Sequence, residues 1–180
     1  MRKALLLAAI GLALPVVVSF PAQALSSRTW VSALGADRGA CTRAAPCATF
    51  QFAHDQTNPG GEINCVEAGS YGMLTISKSI TMSCEAGTAG IFVASPTAGI
   101  FISAAPTDVV TLRGLDIDGL GVGAAGIFID QAKEVHVEKC IVRNFRLNSF
   151  SAALRTSTGS SATIFMFVVD SVFSDNSKGL

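Results

Sequence analysis

One ten-residue segment recurs three times in the second half of this chain, at residues 110–119, 135–144 and 167–176. Each copy has apolar residues at its first, third and sixth positions and Gly or Asn at its tenth. The copies begin at Val110, Val135 and Phe167, and no helix-length segment separates them. Alternation of this kind is typical of β-strands. The repeat therefore predicts a solenoid of stacked parallel strands, a parallel β-helix.

Stacking of the copies predicts which side chains meet on neighbouring rungs. Like positions should form inward apolar columns. The three columns are Val110 with Val135 and Phe167, Leu112 with Val137 and Val169, and Leu115 with Cys140 and Val172. The tenth positions should lie at a bend, where Asn can adopt a left-handed backbone conformation. They are Gly119, Asn144 and Asn176.

The rest of the chain divides into a cap and further rungs. Residues 28–32 predict a strand, and residues 49–56 predict one short helix with Thr49 as its N-cap. From Glu62 onward, Gly, Pro, Asn and Asp separate short runs rich in Ile, Val, Phe and Thr, at residues 74–76, 80–82, 90–93, 99–102 and 126–129. We therefore expect an all-β domain with a cap region over residues 25–61 and β-helix rungs over residues 62–180.

Residues 1–24 have the pattern of a secretory signal peptide. Basic Arg2 and Lys3 precede an apolar stretch over residues 4–20, and the small-residue site Ala22-Gln-Ala24 follows. An apolar run of about 17 residues followed at once by such a site favours cleavage before Leu25 over a membrane anchor. We expect a secreted, periplasmic or cell-surface protein with no membrane span after cleavage.

The charge balance argues against a nucleic-acid partner. Removal of Arg2 and Lys3 leaves 11 basic side chains (13 − 2) against 13 acidic ones, so the exported chain is slightly acidic. Proteins that bind nucleic acids usually present a basic face.

The five cysteines all lie in the exported part, where disulfides form. Cys41 and Cys47 flank a short loop that a disulfide can close. The spacing between Cys65 and Cys84 is near one solenoid turn, which predicts a bridge between neighbouring rungs. Cys140 would then remain unpaired, as a buried small apolar residue. A zinc site is disfavoured because neither His54 nor His136 has ligand spacing from a cysteine pair.

Several segments together resemble the opening of secreted right-handed parallel β-helix repeat proteins of the pectate-lyase-like superfamily. They are residues 28–32 (RTWVS), 41–50 (CTRAAPCATF), 60–63 (GGEI), 69–72 (GSYG) and 74–80 (LTISKSI). The resemblance continues through the rungs and is to the bacterial exported branch. It implies a right-handed β-helix but no particular activity, because lyases, hydrolases, epimerases and adhesins share this opening.

Asp116 and Asp118 are the first candidates for chemistry. On a strand they would face solvent together, about 7 Å apart, and could bind Ca²⁺ or act as acid and base, with Arg143 holding an acidic sugar. The stacked copies favour a structural role, because outward charges alternate in sign along two rows. The rows are Asp118, Arg143 and Asp175, and Arg113, Glu138 and Asp170. Asp116 remains less explained, with Ile141 and Phe173 as its expected neighbours.

Other polar residues have simpler expected roles. His136 should stack between Thr111 and Val168, Asp130 should cap a turn, and Lys78 should protect a rim of the solenoid. The sequence lacks the Asp-Asp, Gly-His-Gly and Arg-Ile-Lys motifs of polygalacturonase-type hydrolases. It also lacks a nucleophile elbow, a phosphate loop and a dinucleotide fingerprint.

The chain stops directly after a rung strand, with residues 174–180 and no amphipathic helix to cover the open core. An uncovered solenoid end promotes association. We expect either a truncated longer solenoid or self-association through this C-terminal rung. For function, we expect a non-catalytic surface or carbohydrate-interacting module that needs no cofactor. The alternative is a polysaccharide lyase or related enzyme for acidic glycans, with Ca²⁺ and with Asp116, Asp118 and Arg143 at its site.

Overall fold

The computed structural model describes residues 25–85, 89–157 and 163–178. The expected signal peptide, residues 1–24, lies outside the described residues. The elements are β1 Ser26–Val31, α1 Phe50–Gln56, β2 Thr57–Cys65, β3 Gly69–Ser70, β4 Leu74–Ile76, β5 Ile80–Ser83, β6 Ala89–Phe92, β7 Ala98–Ser103, β8 Val109–Arg113, β9 Leu115–Asp118, β10 Ala125–Gln131, β11 Glu134–Glu138, β12 Ile141–Arg143, β13 Ala152–Thr156, β14 Phe165–Val169 and β15 Val172–Ser174.

These strands form three parallel sheets, and every third strand from β2 onward returns to the same sheet. The six-stranded sheet has the order β1-β2-β5-β8-β11-β14, the five-stranded sheet β15-β12-β9-β6-β3, and the four-stranded sheet β13-β10-β7-β4. Successive coils therefore stack on one another, which confirms the all-β parallel solenoid. Strand β2 begins at Thr57, ahead of the change of pattern at Glu62 that predicted the first rung.

The core is a set of apolar columns that run along the solenoid. Val110 pairs with Val135 and Leu112 with Val137, and all four side chains are fully buried. Ile100 and Ile127 continue the same pattern on the four-stranded sheet. The first two copies of the repeat thus pack as their alternation predicts.

The third copy is shifted by one residue from the predicted register. Met166 pairs with Val135 and Val168 with Val137, so the prediction that Phe167 and Val169 belong to the inward columns is wrong. On the five-stranded sheet Val172 pairs with Ile141, and the predicted stacking of Val172 on Cys140 is wrong for the same reason. A shift of one residue moves each side chain to the other face of its strand.

The corner between the six-stranded and five-stranded sheets explains the shift. Each copy turns there through one residue with a left-handed backbone, which is Gly114 (φ 72°), Lys139 (φ 52°) or Asp170 (φ 50°). The corner residues Lys139 and Asp170 are 31 positions apart (170 − 139), whereas the repeat starts suggested by the apolar pattern, at positions 135 and 167, are 32 apart (167 − 135). The third copy is therefore displaced by one residue. At the next corner Asn144 is left-handed, as predicted, but Asp175 takes the position predicted for Asn176.

The N-terminal end is covered by the predicted helix and loop. The Thr49 side chain accepts a hydrogen bond from the Phe52 N–H at 3.2 Å and so caps α1. The loop between Cys41 and Cys47 lies on the free edge of β1, because the Trp30 N–H donates to the Cys41 carbonyl and the Trp30 carbonyl accepts from the Cys47 N–H. The edge strand of the sheet is therefore not left open at this end.

Both predicted disulfides are present. One joins Cys41 to Cys47 and closes the cap loop, and the other joins Cys65 to Cys84 on neighbouring rungs. Cys140 is free and buried, as expected. In the part of the chain that the structure describes, no helix is long and apolar enough to span a membrane.

Candidate functional site

The predicted acidic candidates lie together on the outer face of the five-stranded sheet. Asp116 and Asp118 are on β9 and Arg143 is on β12, in register with Asp118 as predicted. The Arg143 guanidinium donates to both carboxylate oxygens of Asp116, at 3.1 and 2.9 Å, and lies 3.4 Å from Asp118 Oδ2. Asp116 pairs with Ile141 as expected, but Val172 and not Phe173 follows in that row, and the diagonal contact with Arg143 was not expected. Asp175 is not part of this row, because Ser174 pairs with Arg143.

Asp118 is nearly buried, and one of its two carboxylate oxygens accepts two hydrogen bonds. Its Oδ1 atom accepts from the Leu120 N–H at 2.8 Å and from the Asn144 side-chain amide at 3.0 Å. These contacts pin the bend after β9. A carboxylate that holds a bend and lies beside an arginine has a structural role in this fold.

A groove of about 520 Å³ lies beside this cluster, at the corner of the two larger sheets. Its charged lining residues are Glu85, Asp116 and Lys139. Glu85 binds Lys139 at 3.1 Å and Arg113 at 3.5 Å, so these charges neutralise one another as well. Arg113 also pairs with Glu138, as predicted, but Val169 and not Asp170 lies next to Glu138.

His136 lies on the outer face of the six-stranded sheet. It is in register with Thr111 as predicted, but its other neighbour is Phe167 and not Val168. The two rings stack with centroids 4.7 Å apart and planes 13° apart, and His136 Nε2 lies 3.6 Å from Glu134. Ring stacking on the last rung is a packing role.

His54 is buried at the end of α1. Its Nδ1 atom lies 3.0 Å from the Asp55 carboxylate, and its Nε2 atom accepts from the Ser77 N–H at 3.4 Å. Burial lowers the pKa of His54, and burial also lowers the pKa of Lys78. Lys78 donates to the Thr57 carbonyl at 2.6 Å, so it ties the helix end to the first full rung.

The remaining polar candidates are also engaged. Asp130 accepts from the Ser103 hydroxyl at 3.2 Å on the neighbouring rung. The Cys140 thiol lies 3.3 Å from the Glu138 carbonyl and 3.5 Å from the Leu112 carbonyl, and burial raises its pKa. A thiol with a raised pKa inside the core is a poor nucleophile. Among the described residues, no three His, Cys, Asp or Glu side chains are placed to hold a metal ion.

The four-stranded sheet carries an outward row that the sequence analysis did not identify. Thr75, Phe101, Phe128 and Arg155 occupy successive rungs in register. The two Phe rings are nearly parallel, with centroids 5.5 Å apart and planes 9° apart, and the Arg155 guanidinium lies 5.6 Å from the Phe128 centroid. One side of Phe128 thus meets a cation and the other side meets Phe101.

On the rung before Phe101 the row has the small side chain of Thr75 in place of a Phe ring. This difference in side-chain size leaves a groove of about 320 Å³. We call it the Phe101 groove. Its lining combines Phe101 with apolar, hydroxyl and amide side chains and contains no charged residue. The other lining residues are Gln51, Met73, Leu74, Thr75, Thr97 and Ala98. Gln51 is held in place because its Oε1 accepts from the Thr75 N–H at 2.9 Å and its Nε2 donates to Asp55 at 3.1 Å.

The signal for this site was in the sequence. The run Gly-Ile-Phe-Ile occurs at residues 99–102 and again, one rung later, at residues 126–129. A Phe between two inward Ile residues must face outward, because side chains alternate along a strand. Two outward Phe residues one rung apart therefore predict an aromatic stack on the surface.

Comparisons with protein-family models, with curated proteins and with solved structures find no match to this chain. The fold and the surface define the class of the protein, which is a disulfide-bonded parallel β-solenoid with a short helical cap.

Proposed function

We propose that this protein is an exported β-solenoid of the pectate-lyase-like superfamily, with right-handed coils, that binds carbohydrate in the Phe101 groove. The observation that carries the proposal is the combination of an aromatic wall with amide and hydroxyl groups and no charge in one groove. Small-ligand sites are concave and mostly apolar, with a few polar groups that fix orientation. At about 320 Å³ the groove is at the small end of such sites and fits one or two sugar rings.

The chemistry of the lining favours a neutral sugar. The face of an aromatic ring carries partial negative charge and attracts the polarised C–H groups of a sugar ring. The Thr75 hydroxyl can both donate and accept, which suits the hydroxyls of a sugar. The Thr97 hydroxyl already contacts the Ser95 hydroxyl at 3.0 Å and donates to Met73 Sδ at 3.5 Å, so it can only accept a further hydrogen bond. A charged ligand would lose its hydration without gaining an opposite charge in this groove.

The site is also preorganised. Phe101 lies between the buried Ile100 and Ile102 on its own strand, and the Phe128 ring packs against it from the next rung. A side chain that is already fixed loses little entropy on binding. The two disulfides are consistent with an oxidising extracellular compartment, where an exported protein would encounter polysaccharides.

Affinity electrophoresis in gels that contain neutral or acidic polysaccharides tests the proposal. We expect one or more neutral polymers to retard the protein, and we expect Phe101→Ala to weaken that binding about tenfold or more. Phe92→Ala is the matched control, because Phe92 is an exposed Phe on the five-stranded sheet, away from the groove. Retardation by no polymer, or equal loss in both variants, would contradict the proposal.

The second candidate function is a polysaccharide lyase that uses Asp116, Asp118 and Arg143. The residues do not fit it well, because Arg143 already binds both carboxylates and the oxygens of Asp116 are not free for Ca²⁺. If this function is correct, uronate polymers incubated with the protein and Ca²⁺ should yield unsaturated ends, and Asp116→Ala should abolish them. We expect no such product.

A further inference from the structure

Helix α1 covers one edge of β4, the first strand of the four-stranded sheet along the chain. The Thr75 N–H donates to Gln51 Oε1 at 2.9 Å, and the Ser77 N–H donates to His54 Nε2 at 3.4 Å. Residues three apart share a helix face, and residues two apart share a strand edge. The two helix side chains therefore take the place that the carbonyls of a neighbouring strand would have.

One carboxylate joins these two helix side chains. Asp55 Oδ1 accepts from Gln51 Nε2 at 3.1 Å and lies 3.0 Å from His54 Nδ1. An ionised carboxylate can only accept and a backbone N–H can only donate, so the imidazole carries its proton on Nδ1 and offers the lone pair of Nε2 to Ser77. The neutral form of His54 thus belongs to the network that holds Gln51 in the lining of the Phe101 groove.

A second proton on His54 has no acceptor in this arrangement. Protonation would turn Nε2 into a donor that faces the Ser77 N–H, which is its only hydrogen-bond partner among the described residues. Two donors cannot bond to each other, so the protonated ring and the edge of β4 must separate.

The surrounding charges act on this equilibrium in known directions. Burial lowers the pKa of His54 and the Lys78 ammonium lowers it as well, whereas Asp55 acts in the opposite direction. The other elements packed against α1 are β1 and β2, whose Arg28 and Glu62 side chains bind each other on the outer face. The attached helix therefore favours neutral His54, and a detached helix would return the ring to water and to the ordinary histidine pKa of about 6.5.

We propose that His54 is a positioning residue for the Phe101 groove, and that its protonation releases the end of α1 from β4 and weakens ligand binding at acid pH. The part that concerns the ligand rests on the proposed function. The start of the helix stays anchored, because the Phe50 N–H donates to the Tyr71 carbonyl at 2.9 Å. Its end moves away and takes Gln51 out of the groove lining. Only the neutral arrangement has the complete groove, so protons and ligand compete.

Hydrogen exchange of the Thr75 and Ser77 amides tests the release without any ligand. After correction for the intrinsic effect of pH on exchange, protection in the full chain should fall by up to about tenfold for each pH unit below about 6.5. In His54→Gln the protection should not change between about pH 7.5 and 5, a range that lies above the ordinary titration of carboxyl groups.

His136→Gln is the matched control. His136 is the other of the two histidines in the chain and lies on β11 of the six-stranded sheet, so this variant should behave as the wild type does. Protection that does not depend on pH in the wild type, or an equal fall in His54→Gln, overturns the proposal. Loss of the pH dependence in His136→Gln also overturns it.

Lys78→Gln provides a directional test. The substitution removes the cation but keeps a group that can donate to the Thr57 carbonyl. It should raise the pKa of His54 in the attached helix toward the value in the detached helix, so the total fall in protection should become smaller. A fall as large as in the wild type would contradict the assigned role of the charge on His54.

Calorimetric titration with hydroxyethyl cellulose, galactomannan and soluble starch as neutral probes tests the effect on the groove. For a probe that binds, the Kd should rise about tenfold between about pH 7.5 and 5 in the wild type and in His136→Gln, and should stay constant in His54→Gln. Gln51→Ala should bind about tenfold more weakly at pH 7.5, with little further change at pH 5.

The two readouts separate the two proposals. A constant Kd in the wild type, together with protection that falls with pH, overturns the link between His54 and the groove and leaves sugar binding intact. Binding of none of the three probes at pH 7.5 counts against the proposed function, and the exchange experiment then still decides whether His54 releases the helix.

Discussion

Gly126 lies on β10 of the four-stranded sheet, next to Val142 of the five-stranded sheet. A Cβ atom added there would overlap Val142 Cγ1 and would lie 2.5 Å from the Ala153 carbonyl oxygen and 3.2 Å from the Phe145 ring. One of these neighbours is backbone, and Val is stiff about its first side-chain torsion, so neither can move aside at low cost. Overpacking of a core costs about 1 to 3 kcal/mol, and the severity of this overlap places Gly126→Ala near 3 kcal/mol.

Urea unfolding with the disulfides intact measures this change. In urea, a loss of about 3 kcal/mol should lower the midpoint of unfolding with an unchanged m-value. In thermal unfolding, the same loss should lower the Tm by about 6 to 12 °C for a domain of this size. Gly121→Ala is the control, because Gly121 has φ 76° but open space around its Cβ position. It should cost only the backbone term of about 1 to 2 kcal/mol. The double variant Gly126→Ala, Val142→Ala should lose less stability than the sum of its parts. A free energy of unfolding for Gly126→Ala within about 0.5 kcal/mol of wild type would refute this packing argument.

Three further changes test the cap, the rungs and the acidic cluster. Replacement of Cys65 and Cys84 by Ser should lower the free energy of unfolding by about 3 kcal/mol, as measured in urea, because the bridge constrains a loop of about 20 residues in the unfolded chain. Burial lowers the pKa of His54, so below about pH 6.5 the unfolded chain binds a proton that the folded chain does not. Stability should therefore fall as the pH drops below that value, and His54→Gln should remove this part of the pH dependence of unfolding; equal slopes in both proteins would contradict it. Arg143→Ala should cost about 2 kcal/mol in the same assay, because it leaves the half-buried Asp116 without a partner, whereas loss of the exposed Arg28 should cost under about 1 kcal/mol.

Much of the fold could be predicted from the sequence because the patterns were local. Alternation placed Val110 and Leu112 inward, and residue types at the cap predicted α1 and its N-cap Thr49. Spacing near one turn predicted the bridge between Cys65 and Cys84. Each of these depends on a regular interval within one or two rungs, which a sequence displays directly.

The acidic cluster shows where such reasoning stops. The register placed Arg143 beside Asp118, and the structure has this pairing. The stronger contact is diagonal, since the long Arg143 side chain reaches Asp116 with two hydrogen bonds. Diagonal neighbours on a sheet are within reach of long side chains, but a row-by-row alignment cannot choose between the direct and the diagonal partner. The functional interest of Asp116 rested on its lack of a partner, and the geometry removes that basis.

The error in the third copy has a physical cause. Residues 165–169 are apolar on both faces, so alternation gives no register there, and only the left-handed corner at Asp170 fixes it. With that register Val169, and not Asp170, stacks on Glu138, and the ladder of alternating charges ends one rung early. The last rung then has apolar side chains on its outer face as well as its inner face. Where both faces of a strand are apolar, only the corner residues at its ends carry information on register, which is why the apolar pattern failed at this copy and not at the first two.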